Sequence, residues 1–95
     1  MKAYIIADIE IKDEAEYVKY RDAVPAVIEK YGGRYLVRGG SPQTLEATWS
    51  PTRIVILEFA DMESLQKFYH SQDYAPLIAL RQAASKGSMI CVQGV

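Results

Sequence analysis

Residues 52–59, TRIVILEF, are apolar on both sides of an extended segment: Val55, Leu57 and Phe59 alternate with Ile54, Ile56 and a single Glu58. Successive side chains of a strand point to opposite faces, so this strand has to be covered on both. The chain has 95 residues, the length of one domain. Its own helices can cover one face of a sheet. The second cover has to come from another molecule, and at this chain length the core is small enough for association to improve it.

The rest of the chain supplies the sheet and its helices. KAYIIADIEI (2–11) alternates, with Ala3, Ile5, Ala7, Ile9 and Ile11 on one side and Tyr4, Ile6 and Asp8 on the other, which reads as a strand. Asp13 with Glu16 forms a capping box, and Ala15, Val18, Val24, Val27, Ile28 and Tyr31 share one face of the helix that follows. Pro25 predicts a kink, and Gly32-Gly33 predicts the end of the helix. In RYLVR (34–38), alternation puts Tyr35 and Val37 on one face and Arg34, Leu36 and Arg38 on the other. Residues 39–52 form a long connection with two prolines, in which LEATW can pair briefly. Asp61 caps a second helix that breaks at SQD (71–73), resumes through Leu77, Leu80 and Ala84, and runs to Lys86-Gly87. SMICVQGV is the last strand. The order β-α-β-β-α-β with a four-stranded antiparallel sheet is the ferredoxin-like α+β arrangement, a single domain over 1–95.

Helices on one face leave Tyr4, Ile6, Asp8, Arg34, Leu36, Arg38, Ile54, Ile56 and Glu58 on the other. That set is too apolar to stay wet and too charged for an ordinary core. A second copy laid sheet to sheet would bury the apolar part, while the charged rows line a cleft. The expected assembly is a homodimer. Eleven Lys and Arg nearly balance twelve Asp and Glu without forming blocks, so nucleic acid and anionic membranes are not expected partners. Residues 1–11 carry Asp8 and Glu10 and no stretch is long enough to span a bilayer, which makes the cytoplasm the expected location. Cys91 is the only cysteine and is expected to pack in the core.

Several stretches together carry a likeness to a known family: Tyr17 and Tyr20, YGGRYLVRGG (31–40), LEA (45–47) with Trp49 and Pro51, Arg53, LEFAD (57–61) and YHSQDYAPLIALR ending at Arg81. Across nearly its whole length the chain resembles the family labelled domain of unknown function 1330, within the dimeric α+β barrel superfamily. The resemblance implies a homodimer of ferredoxin-like subunits with no assigned activity. The superfamily also contains cofactor-independent monooxygenases, isomerases, haem-degrading and muconolactone-processing enzymes, and fold alone does not choose among them.

Among individual residues, Arg38 is the leading ligand anchor, because a guanidinium offers a fixed fork of donors to a carboxylate or enolate. The competing role is an ion pair with Glu58 or Asp8 that holds the sheet or dimer together. Arg34 reads as a solvated edge charge. His70 is the only histidine and the natural proton shuttle, although its position after Leu65 and Phe68 also suits an ordinary surface residue. No zinc or iron ligand set accompanies it, so no metal and no cofactor is expected, with axial haem ligation a distant third reading. Tyr20, Tyr69 and Tyr74 can orient a ligand or donate a proton. Arg53 and Arg81 are either anchors or salt-bridge partners, and Glu46 and Trp49 sit in the long connection, where loops often carry function. The expected function is binding, and metal-free transformation, of a small anionic or aromatic molecule; the alternative is a non-catalytic dimeric binding or assembly module.

Overall fold

The computed structural model describes all 95 residues. Its elements are β1 (Ala3–Ile11), α1 (Glu14–Lys30), β2 (Arg34–Gly39), β3 (Ile54–Phe59), α2 (Met62–Tyr69), α3 (Ala75–Ala84) and β4 (Ser85–Gln93). The strands form one antiparallel sheet in the order β2-β3-β1-β4. The core lies between one face of this sheet and the helices: Ala3, Ile5, Ala7, Ile9, Val55, Leu57 and Phe59 pack against Tyr17, Tyr20, Val24, Ile28, Leu65, Phe68 and Tyr74. Burying each Val, Leu, Ile or Phe side chain contributes about 1.5–3 kcal/mol.

Local chemistry places the helices as the sequence predicts. Asp13 Oδ1 accepts from the Glu16 amide at 3.1 Å and Asp61 Oδ1 from the Ser64 amide at 2.7 Å, satisfying amides that have no partner in a first turn. Gly32, at φ +79°, ends α1 in the left-handed region. The second helical run breaks after Tyr69 and resumes at Ala75, so two helices stand where the split motif has one. Pro25 lies inside α1, which continues through it.

Five features depart from the sequence expectations. The buried stripe of α1 is Tyr17, Tyr20, Val24 and Ile28, while Ala15 is exposed and Val18, Val27 and Tyr31 are half-buried. The register of β2 against β3 shifts between Tyr35 and Val37: Tyr35 lies opposite Leu57, Val37 opposite Ile56 and Arg38 opposite Val55. The extra residue of this bulge reverses the alternation, so Val37 belongs to the open face and Arg38 to the helix-covered face. Arg34 is not a free edge charge, since its Nε donates to Glu58 at 2.9 Å. Cys91 faces the helices opposite Ile5 but is exposed, because β4 is an edge strand that the helices do not reach over. The LEATW segment forms no strand, and β4 starts at Ser85, directly after α3.

Four carboxylates have lowered pKa values. The Lys12 ammonium does this for Glu10, the Ser64 amide for Asp61 and the Lys30 ammonium for Asp73. At Glu58, burial pushes the other way and is outweighed by Arg34 and Lys2. A carboxylate depressed in the folded state contributes stability above its unfolded value and loses it as pH falls through the folded one. Thermal stability is therefore expected to be level from neutrality to about pH 5 and to fall steadily below that, as a melting series against pH would show.

Candidate functional site

The stripe of α1 that faces the sheet carries Tyr17, Tyr20, Val24 and Ile28, and α1 lies beside α3, whose own buried positions are Arg81 and Ala84. Tyr74, just before α3, is 1 % exposed. Three polar groups meet there: Arg81 Nη1 donates to the Tyr74 hydroxyl at 2.7 Å, and the Tyr74 and Tyr20 hydroxyls are 2.8 Å apart. The Arg81 guanidinium carbon lies 6.0 Å from both ring centroids. Arg81 is only 8 % exposed and takes part in no ion pair. A buried charge without a counter-charge is costly unless hydrogen-bonded, and here phenols, not a carboxylate, provide those bonds. Burial works against the charge of Arg81, yet the neighbouring phenols outweigh it and raise its pKa. Burial also raises the pKa of Tyr20 and of Tyr74, in the latter case against the pull of Arg81. Both phenols thus stay protonated at neutral pH, and Tyr74 accepts from Arg81 as a neutral hydroxyl, not as a phenolate.

Arg81 also lines a hollow of about 390 Å³ between α3 and the start of β4, with Ile9, Tyr69, Gln82, Lys86 and Met89 among its other walls. A second hollow of about 260 Å³ shares Tyr69 and Met89 and continues along β4 past Leu65, Gln66, His70, Ile90 and Cys91. His70 caps α2, its Nε2 3.1 Å from Gln66 Oε1, and the Gln66 amide donates to Cys91 Sγ at 3.7 Å. The first hollow is within the size range of small-molecule sites, about 300–1,000 Å³.

A third cavity, of about 30 Å³, lies on the same side of the sheet under α1, and Arg21, Arg38 and Arg53 line it with Tyr17, Tyr20, Tyr35 and Tyr74. The Arg38 guanidinium stacks on the Tyr35 ring at 3.8 Å, and that of Arg53 lies 6.0 Å from the Tyr17 ring. Burial is the main cause that raises the pKa of the Tyr35 phenol.

The remaining candidates lie on the open face. Trp49 Nε1 donates to Asp8 at 2.9 Å, and Glu58 pairs with Arg34 and, at 3.6 Å, with Lys2. The structure therefore gathers Tyr20, Tyr69, Tyr74 and Arg81, sets His70 one hollow away, places Arg38 and Arg53 in a separate cavity, and leaves Asp8, Glu58 and Trp49 across the sheet. Arg38 contacts neither Glu58 nor Asp8. No group of three or more His, Cys, Asp or Glu side chains is placed to hold a metal ion.

Tyr17, Arg21, Gln66 and Met89 are wall residues absent from the sequence-based set. Arg21 had a signal: with Tyr17, Val24 and Ile28 it occupies the i, i+4, i+7, i+11 stripe of α1, where a charge is out of place. Gln66 and Met89 had none, because neither stands out from its local pattern.

No curated protein matches the chain. Among solved structures it is similar to a protein of unknown function from Rhodopseudomonas palustris, at 15 % identity over 99 % of this chain and 82 % of that one, with a TM-score of 0.81. It is similar to SnoaB, a cofactor-independent oxygenase from Streptomyces nogalater, at 10 % identity over 99 % and 93 % of the two chains, TM-score 0.67. A dimeric ferredoxin-like protein of unknown function from Jannaschia sp. CCS1 matches at 12 % identity over 99 % and 100 %, TM-score 0.66. At such identities these likenesses show the fold alone. With a family model matching residues 2–95 over a ferredoxin-like sheet of this order, the chain belongs to the family described as Domain of unknown function (DUF1330).

Proposed function

We propose that this protein is a homodimer that binds a small anionic or aromatic organic molecule in the hollow beside Tyr69 and Arg81, and acts on it by proton transfer without a metal. The observation that carries this reading is Arg81: a buried guanidinium with no carboxylate partner, lining a hollow of ligand size. An anionic oxygen of the ligand would give that charge its missing counter-ion. Tyr20 and Tyr74 are held protonated and serve to position the guanidinium. Tyr69, half-buried and lining both hollows, and His70, in the adjoining one, are then the groups in place to move a proton. The likeness to an oxygenase described as cofactor-independent is compatible with this chemistry: without a cofactor the electrons for dioxygen have to come from the deprotonated substrate itself. Exposed Leu36, Ile90 and Val92 on the open face, together with a relative described as dimeric, support the homodimer.

Calorimetric titration with a panel of aromatic carboxylates and acidic phenols tests the site. At least one class is expected to bind, and Arg81→Lys, which keeps the charge but loses the planar fork, to weaken it by about tenfold or more. Tyr69→Ala, which removes a wall of the hollow, is expected to weaken it as well, with a lowered melting temperature because the ring also packs against Tyr74; it provides a second variant if the Arg81 one does not fold. Oxygen uptake with the bound compounds separates an oxygenase from a binding module. Failure of the whole panel to bind, or equal affinity in both variants, would remove this hollow as the site.

A further inference from the structure

We infer that Arg21, Arg38 and Arg53 form a second, separate site, a receptor for a small oxyanion at the mouth of the cavity under α1. Three arginines are among the walls of this one otherwise largely apolar cavity. The only carboxylate paired with any of them is Glu14, 3.5 Å from Arg21, so the cluster has three positive charges against one negative, a surplus of 3 − 1 = 2. Arg38 and Arg53 take part in no ion pair. Arg53 Nε is buried without any hydrogen-bond partner, and buried donors are nearly always satisfied. Like charges brought together at an orphaned donor indicate a missing anion.

The surroundings fit that occupant. The Arg38 guanidinium lies over the Tyr35 ring, its carbon 3.8 Å from the centroid, and with no carboxylate partner its N–H donors are free for a bidentate oxyanion. Gly39, at the end of β2, fits the same reading. Gly39, at φ +89°, would with any side chain bring a Cβ within 3.1 Å of Arg53 Nη1, so glycine keeps that donor uncovered. The cavity of about 30 Å³ admits a charged head group, with the body of a larger ligand left outside beside exposed Arg38. The recognised chemistry is therefore a carboxylate or phosphoryl group. The site does not depend on the Tyr69–Arg81 hollow, since Arg81 does not line it.

The test is a thermal-shift and calorimetric titration at low ionic strength with two probes, inorganic phosphate and succinate, against sodium chloride at matched ionic strength. A saturable rise in melting temperature is expected with at least one probe and not with chloride; which probe acts distinguishes phosphoryl from carboxylate recognition. Arg38→Gln, a change at an exposed side chain, is expected to weaken that binding by about tenfold, and Arg53→Gln to abolish it. Arg81→Lys and Tyr69→Ala are expected to retain it, which separates this site from the first. Absence of a saturable effect with both probes, or undiminished affinity in Arg38→Gln, would overturn the proposal.

Discussion

Phe68→Ala is expected to destabilise the fold by about 3–5 kcal/mol, the usual range for deleting a buried aromatic ring. Phe68 is fully buried and its ring lies 4.3 Å from that of Tyr74, 5.2 Å from Phe59 and 6.3 Å from Tyr31, centroid to centroid. Removing the ring deletes all three contacts at once and leaves a gap among Tyr31, Phe59 and Tyr74. Domains of this kind are stable by only about 5–15 kcal/mol, so the variant should unfold at a much lower denaturant concentration with the slope unchanged. The effect reaches the candidate site, because Tyr74 rests on Phe68 and holds Arg81. Ligand affinity of the remaining folded fraction should drop as well. A loss below about 1 kcal/mol would mean that the interior collapses around the gap, against the rigidity expected of close-packed cores.

Ile56→Glu is expected to abolish the proposed dimer. Ile56 lies opposite Ile6 in the centre of the open face, with Val37 on its other side. In a two-fold pairing of sheets the same substitution enters the interface twice. An uncompensated charge in a buried interface costs about 3–5 kcal/mol; two of them weaken association by more than about a thousandfold. Sedimentation velocity at micromolar concentration would show the change, and circular dichroism would show the subunit still folded, because the helix-covered core is untouched. Sedimentation of the wild type as a monomer under the same conditions would end the dimer proposal outright.

The two sites stand in an informative relation. The Tyr20–Tyr74–Arg81 chain runs between α1 and α3, with the larger hollow on the Arg81 side and the arginine cavity on the Tyr20 side. Ile9 and Met89 line both. A ligand drawn into one thus shares walls with the other, yet each site has its own guanidinium donors and can be tested alone.

Most features that depend on residues near one another in the chain were legible in the sequence, the end of α3 and the extended reading of LEATW excepted. Period-two alternation marked the strands, Asp13 and Asp61 marked helix starts, and Gly32 marked a helix end, because each acts through hydrogen bonds or torsion angles within a few residues. TRIVILEF announced a sheet needing cover on both faces, since alternation alone says which side chains face which way. Arg38 shows where such reasoning stops. Its face is set by where β2 pairs with β3, and one bulged residue reverses the parity of everything beyond it. Likewise Tyr20, Tyr74 and Arg81 are separated by up to 61 positions and meet only because α1 packs beside α3. Arg34 finds Glu58 across a strand pair, and Arg21, Arg38 and Arg53 converge from α1, β2 and the connection before β3. Local periodicity determined the elements and the ferredoxin-like order; register and helix packing, which are long-range, decided which charges share a cavity.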